Sequence, residues 1–195
     1  MRRLVYYIGA TLDGVIAGPG GEIDFFPLSD ELAGWIAETY PETIPTHARP
    51  HLGLADAPNR VFDTVVMGRG TYEPALAIGV TSPYAHLRQY VVSATLDVDD
   101  PAVTIVPSDP VALVRTLKAR DAGADIWLCG GGTLAAALVD EIDEIDEIVV
   151  KTYPVVAGGG IPLLAGGFGP ARFGPVRHRA FADGALVTWL DRVRR

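Results

Sequence analysis

A chain of 195 residues, 49% of them apolar, can bury a substantial core as a single domain spanning 1–195. Its net charge of −8 at pH 7 excludes nucleic acid as a partner, because no Lys/Arg stripe is present to neutralise a run of phosphates. The lone cysteine, Cys129, excludes an internal disulfide and any multi-cysteine zinc site. No apolar run is long enough to span a bilayer and no leader precedes the first strand, which predicts a cytoplasmic protein without a membrane partner.

In chain order, residues 4–10 read as a strand and 11–27 as turns. A helix is expected over 29–39, with Ser29 as cap, Asp30 and Glu31 in its first turn, and Leu32, Trp35, Ile36 and Thr39 on one face. Four prolines in 41–60 predict a long loop, and Pro50 prevents His47 and His51 from sharing a helical face, so no metal site is expected. Next come a strand at 63–67 and a helix at 71–78, where Pro74 is expected in the first turn and therefore harmless. Strands at 90–93 and 103–106 precede a helix over 109–121 capped by Asp109. A strand at 125–129, a helix at 133–140 and a strand at 145–153 follow, then a glycine- and proline-rich loop at 154–170. Asp183-Gly184 marks a two-residue hairpin between strands 176–182 and 185–191. Strands alternating with helices imply an α/β fold with a mainly parallel central sheet flanked by helices, closed by a C-terminal antiparallel hairpin. The basic residues at the ends (Arg2, Arg3, Arg192, Arg194 and Arg195) read as solvated termini.

Two strand-to-helix junctions end in glycine. One is Thr64-Val65-Val66-Met67-Gly68-Arg69-Gly70-Thr71-Tyr72-Glu73, the other Asp125-Ile126-Trp127-Leu128-Cys129-Gly130-Gly131-Gly132-Thr133-Leu134. Glycine lets the backbone approach a ligand, and a helix start offers unpaired N–H groups at a positive dipole end. Two such junctions could grip both ends of a dinucleotide. The G-x-G-x-x-G fingerprint fails at Glu73, which disfavours a Rossmann site. Arg69, Ser93 and Thr95 could supply the cation and hydroxyls that a 2′-phosphate needs, whereas Asp97, Asp99 and Asp100 count against it unless they point away. Cys129, inside an apolar strand, reads as a small hydrophobe. No G-x-S-x-G elbow or P-loop lysine is present, which removes the common hydrolase and NTPase readings.

Three motifs together carry a resemblance: Thr11-Leu12-Asp13-Gly14-Val15-Ile16-Ala17, the Gly68-Arg69-x-Thr71-Tyr72-Glu73 junction and the Cys129-Gly130-Gly131-Gly132 turn. With Leu138-Val139-Asp140-Glu141-Ile142-Asp143-Glu144 and the Pro154 to Leu163 stretch, the chain resembles the dihydrofolate-reductase-like fold family, and within it the reductase domain of the bifunctional riboflavin-biosynthesis deaminase–reductase. Nothing resembles the deaminase zinc signature, so a reductase domain alone is expected. Thr11 stands where the family has serine, which keeps a hydroxyl.

The resemblance implies NADPH as cofactor. It places Gly68, Arg69, Gly70 and Thr71, with Ser93, at the adenosine phosphate, Gly130, Gly131, Gly132 and Thr133 at the pyrophosphate, and Ile16 and Ala17 at the nicotinamide. It also implies a cis peptide between Gly130 and Gly131. Glu31 or Asp30 falls near the position of the carboxylate that holds the pteridine in folate reductases, although both also suit a helix N-terminus. With Asp13 these are the candidate catalytic acids. The implied activity is that of a 5-amino-6-(5-phosphoribosylamino)uracil reductase, with hydride passing to an imine- or carbonyl-like carbon of a heterocyclic or ribosylamino small molecule. The alternatives are a dihydrofolate, pteridine or xenobiotic reductase of the same fold, or a nucleotide-binding domain without turnover. A homodimer is expected, with Val187, Trp189 and Leu190 of the hairpin offered to the partner or else closing the chain's own sheet.

Overall fold

The computed structural model describes residues 1–120, 122–140 and 144–193. The last residue of the helix expected at 109–121, Glu141-Ile142-Asp143 of the family-like motif, and Arg194 and Arg195 lie outside the described residues. In chain order the elements are β1 (Leu4–Ala10), β2 (Val15–Ala17), α1 (Asp30–Thr39), β3 (Phe62–Gly68), α2 (Arg69–Ala77), β4 (Arg88–Val92), β5 (Val103–Val106) and α3 (Pro110–Lys118). Then follow β6 (Asp125–Gly130), α4 (Gly132–Asp140), β7 (Glu147–Thr152), β8 (Ile161–Pro162), β9 (Phe173–Ala180) and β10 (Leu186–Arg192).

An eight-stranded sheet runs β5-β4-β3-β6-β1-β7-β10-β9. Pairing is parallel from β5 to β7 and antiparallel from β7 through β10 to β9, which is the expected parallel sheet with a closing hairpin. Side chains alternate along each strand and both sheet faces are covered, so β1 reads as an unbroken apolar run. Leu4 and Tyr6 join Val114, Leu117, Leu128 and Leu138 beneath α3 and α4. Val5 and Tyr7 join Trp127, Val187 and Trp189 beneath α1.

Helix α1 forms as its sequence demands. The Ser29 hydroxyl accepts from Leu32 N, and Leu32 and Trp35 are buried. The Trp35 ring meets Tyr40, Phe181 and Trp189 edge-on, with centroids 5.5–5.8 Å apart. The loop after α1 is pinned from inside. Buried Glu42 accepts from the backbone N–H groups of Val61 (2.7 Å) and Phe62 (2.8 Å), and the His86 ring lies 2.8 Å from Glu42 O.

Several expectations are corrected. Helix α2 starts at Arg69, two residues early, because extended Gly68 serves as its N-cap, and Pro74 therefore lies inside the helix rather than in its first turn. The missing N–H leaves the Gly70 carbonyl without its usual intrahelical donor. Arg2 is not a solvated terminus: it is buried, donates to Ala124 O (2.6 Å) and Thr64 Oγ1 (2.8 Å), and pairs with Asp63. The hairpin turn is one residue longer than expected, since Phe181 N donates to Ala185 O (2.9 Å) across Ala182, Asp183 and Gly184. Val187 and Trp189 are buried in the chain's own core and Leu190 packs on the opposite face, which is the second of the two placements expected for them, closing the chain's own sheet. The turns and loop read at 11–27 and 154–170 contain a second small sheet, with β2 paired to β8.

Candidate active site

Strands β3 and β6 are neighbours, so the two glycine junctions lie side by side at the carboxyl edge of the parallel sheet, where α/β folds place ligands. They touch closely. A β-carbon at Gly68 would stand 3.5 Å from Gly131 N and 3.6 Å from Gly130 O, and one at Gly130 would stand 3.4 Å from Thr71 Oγ1. The Gly130–Gly131 peptide is cis, and Gly130 has φ +132°, a region that L side chains rarely adopt. Helices α2 and α4 start directly after these turns, so two sets of free N–H groups and two positive dipole ends face the same edge. Gly70 has open space around it, and Thr133 is exposed at the start of α4.

At the outer end of this edge Arg69 Nη1 donates to Thr95 Oγ1 (2.9 Å), while Arg69 Nε pairs with Glu73 (2.6 Å) one helical turn on. The Ser93 hydroxyl is buried and accepts from Leu96 N (3.1 Å), which shapes the turn after β4. Arg69, Ser93 and Thr95 are thus brought together. Asp100 points away: it accepts from Thr81 Oγ1 (2.5 Å) and Ala102 N (2.9 Å).

The turn carrying Ile16 and Ala17 is stitched to the second glycine junction by backbone contacts. Leu163 N donates to Gly14 O (2.8 Å), and Ala165 N to Gly132 O (3.0 Å). Pro162 O stands only 2.1 Å from where a Gly132 β-carbon would be, and Ala17 O 2.4 Å from one on Gly160. The Thr11–Ala17 turn and the Gly130–Gly132 turn are therefore held together by residues 160–165. That stretch reads as plain loop, and only its clustered glycines hint at the close approach.

The candidate acids have different partners. Asp13 accepts from Thr11 Oγ1 (2.6 Å), Ala157 N (3.0 Å) and Gly158 N (2.7 Å). These bonds, the Thr11 hydroxyl foremost, push its pKa down to about 2, so it stays ionised at neutral pH. Glu31 is exposed and accepts from Ala182 N (3.2 Å), tying α1 to the hairpin turn. Asp30 is exposed beside it in the first turn of α1.

A charged residue that the sequence does not single out lies among β1, β6 and β7. Lys151 pairs in register with Gly9 on β1 and Val187 on β10, and its Nζ sits 3.4 Å above the centroid of the Tyr7 ring. Gly9 makes room: a β-carbon there would be 3.0 Å from Tyr153 Cε2 and 3.9 Å from Lys151 Cε. Burial pushes the Lys151 ammonium down to about 7 and the neighbouring Cys129 thiol up to about 12, so the thiol is neutral. This environment fits Cys129 as a small hydrophobe.

The RibD C-terminal domain family matches residues 2–187. The chain is 34% identical over 164 residues to YwjB of Bacillus subtilis (strain 168), covering 84% of this chain and 83% of that protein. It is 25% identical over 196 residues to YyaP of the same organism, covering 95% and 92%. Among solved structures, a Shewanella sp. PV-4 protein named for riboflavin biosynthesis superposes with a TM-score of 0.72 at 25% identity over the whole of both chains. A Thermotoga maritima diaminohydroxyphosphoribosylaminopyrimidine deaminase/5-amino-6-(5-phosphoribosylamino)uracil reductase shares the fold, with a TM-score of 0.64 at 16% identity, over 98% of this chain and 57% of that one. Paired glycine junctions, the stitched Thr11–Ala17 turn and the family match over nearly the whole chain agree: the chain belongs to the RibD C-terminal domain family.

Proposed function

We propose that this chain is an NADPH-dependent reductase acting on an imine- or carbonyl-like carbon of a heterocyclic or ribosylamino substrate, in the manner of 5-amino-6-(5-phosphoribosylamino)uracil reductase. The observation that carries the reading is the contact between the two glycine junctions, with Arg69 and Thr95 at their outer end. The residues present fit the cofactor. Side chains are missing where Gly68, Gly130 and Gly131 approach one another, and a net charge of −8 leaves local cations and N–H groups to hold phosphate. Arg69, Thr95 and Ser93, with Gly68, Gly70 and Thr71, would hold the adenosine 2′-phosphate. Gly130, Gly131, Gly132 and Thr133 would hold the pyrophosphate, and Ile16 and Ala17 would flank the nicotinamide. Bound NADPH supplies the hydride. The protein's own work is to orient the acceptor carbon and keep water out, which is worth several orders of magnitude in rate.

The direct test is NADPH oxidation with 5-amino-6-(5-phosphoribosylamino)uracil. NADPH binding without oxidation, across that compound and a panel of pterins, would instead support a non-catalytic nucleotide-binding domain. Cofactor choice gives a sharper test. Arg69→Ala is expected to weaken NADPH by about 1–3 kcal/mol, the range for charge-assisted hydrogen bonds, and NADH far less. Equal losses for both cofactors in a fluorescence titration would show that Arg69 does not read the 2′-phosphate.

A further inference from the structure

Lys151 is one of two lysines in the chain. The other, Lys118, is conventionally paired, with Asp146 at 2.7 Å and Glu144 at 3.3 Å. Lys151 has no carboxylate partner among the described residues. Its neighbours are neutral: the Tyr7 ring from β1, the Cys129 thiol from β6, and Tyr153, which with Lys151 closes over Gly9 from the end of β7. Tyr84, from the segment before β4, also interacts with Cys129. Burial holds the Tyr7 and Tyr84 hydroxyls in their protonated forms, so none of these groups supplies a compensating negative charge.

Lys151 is half-buried, and an ammonium with only neutral groups for company has donor capacity to spare. Its position is informative. Cys129 directly precedes the Gly130–Gly131 turn, and Gly9 lies two residues before the Thr11–Ala17 turn. Lys151 thus stands at the carboxyl ends of the strands that carry the second glycine turn and the nicotinamide turn, on the α1 face of the sheet. Aromatic rings wall the same region: Phe26 packs on Tyr153 with centroids 4.7 Å apart, and Phe25 on Phe26 at 4.5 Å. The carboxylates nearest this chemistry in sequence are engaged elsewhere, Asp13 with the 157–158 backbone and Glu31 with Ala182.

We propose that Lys151 is the substrate-side acid of this reductase, its ammonium hydrogen-bonding the oxygen or nitrogen of the C=O or C=N group whose carbon accepts hydride. The inference rests on the reductase reading above. In the step, the π bond of the acceptor breaks and a C–H bond forms with the hydride's two electrons. An Nζ–H proton passes to the heteroatom to form O–H or N–H. NADPH is oxidised to NADP⁺, and the neutral amine regains its proton from water.

Having two lysines makes the test clean, because protein labelled with ¹³C at lysine Cε gives one signal for each. The probe is 5-amino-6-(5-phosphoribosylamino)uracil, added to protein loaded with NADP⁺ so that no reaction occurs. The expected result is that the Lys151 signal moves and the Lys118 signal stays. Lys151→Met should then cut NADPH oxidation by about 100-fold or more, the usual worth of a general acid, with NADPH affinity unchanged. Lys151→Arg keeps the charge but holds its proton too tightly to give it up, so it should stay slow and lack the fall in rate expected of the wild type as pH rises through about 7. A Lys151 signal that does not move, or a Lys151→Met protein with wild-type turnover, overturns the proposal while leaving cofactor binding intact. A wild-type protein that binds neither NADPH nor NADP⁺ overturns the reductase reading itself.

Discussion

Alanine at Gly131 is expected to weaken NADPH binding about a hundredfold or more while the protein folds and melts as before. The free protein has room for the methyl group, since its β-carbon would meet nothing closer than Thr71 Oγ1 at 3.7 Å. The proposed NADPH complex would not have that room. Residue 131 lies between two helix starts, and its nitrogen is 3.5 Å from where a Gly68 β-carbon would be, so an added methyl group would stand where the proposed pyrophosphate approaches the backbone. A hundredfold loss corresponds to about 2.7 kcal/mol, within the range that overpacking a tight contact costs. A titration with NADPH, paired with a thermal melt, reads both halves of the expectation. Normal affinity in a Gly131→Ala protein would remove the glycine junction from the cofactor site.

One residue on, the same substitution should have the opposite signature. A Gly132 β-carbon would fall 2.1 Å from Pro162 O and 3.3 Å from Leu163 O, and these are backbone atoms. They cannot swing aside as a side-chain end would, because Leu163 N is bonded to Gly14 O and Ala165 N to Gly132 O on either side. Gly132→Ala is therefore expected to lower stability by about 3 kcal/mol and Tm by roughly 6–12 °C for a chain of this size. A melt within a degree or two of the parent would show that the 160–165 segment is not clamped against α4.

The contrast between these neighbours shows where sequence reasoning reaches and where it stops. β1 and β6 were legible because a strand buried on both faces is a short apolar run, and α1 because Ser29 and the spacing of Leu32 and Trp35 carry their own signal. The glycine turns were legible as turns, since three consecutive glycines after a buried strand have few structural uses. Their contact was not, because it depends on β3 lying beside β6, and sheet order is not written in either segment. β2 and β8 are three and two residues long and exist only as partners of each other, too short for periodicity to register. Lys151 lay inside a correctly expected strand. What sets it apart is the face it shares with Tyr7 and the lack of a carboxylate, both properties of neighbours distant in sequence. The engagement of Asp13 with residues 157–158 is hidden for the same reason.

The stitching at residues 160–165 uses main-chain atoms, whereas the side chains of Ile161, Pro162 and Leu164 are exposed. Geometry and chemical identity are therefore carried by different atoms of one strap. Substitutions at these three positions can accumulate without moving the paired glycine turns, provided that the glycines at 132 and 160 persist. A lineage built on this scaffold is thus free to change the exposed side chains of the strap while its paired glycine turns stay constant, and a library randomised at 161, 162 and 164 would sample that freedom directly.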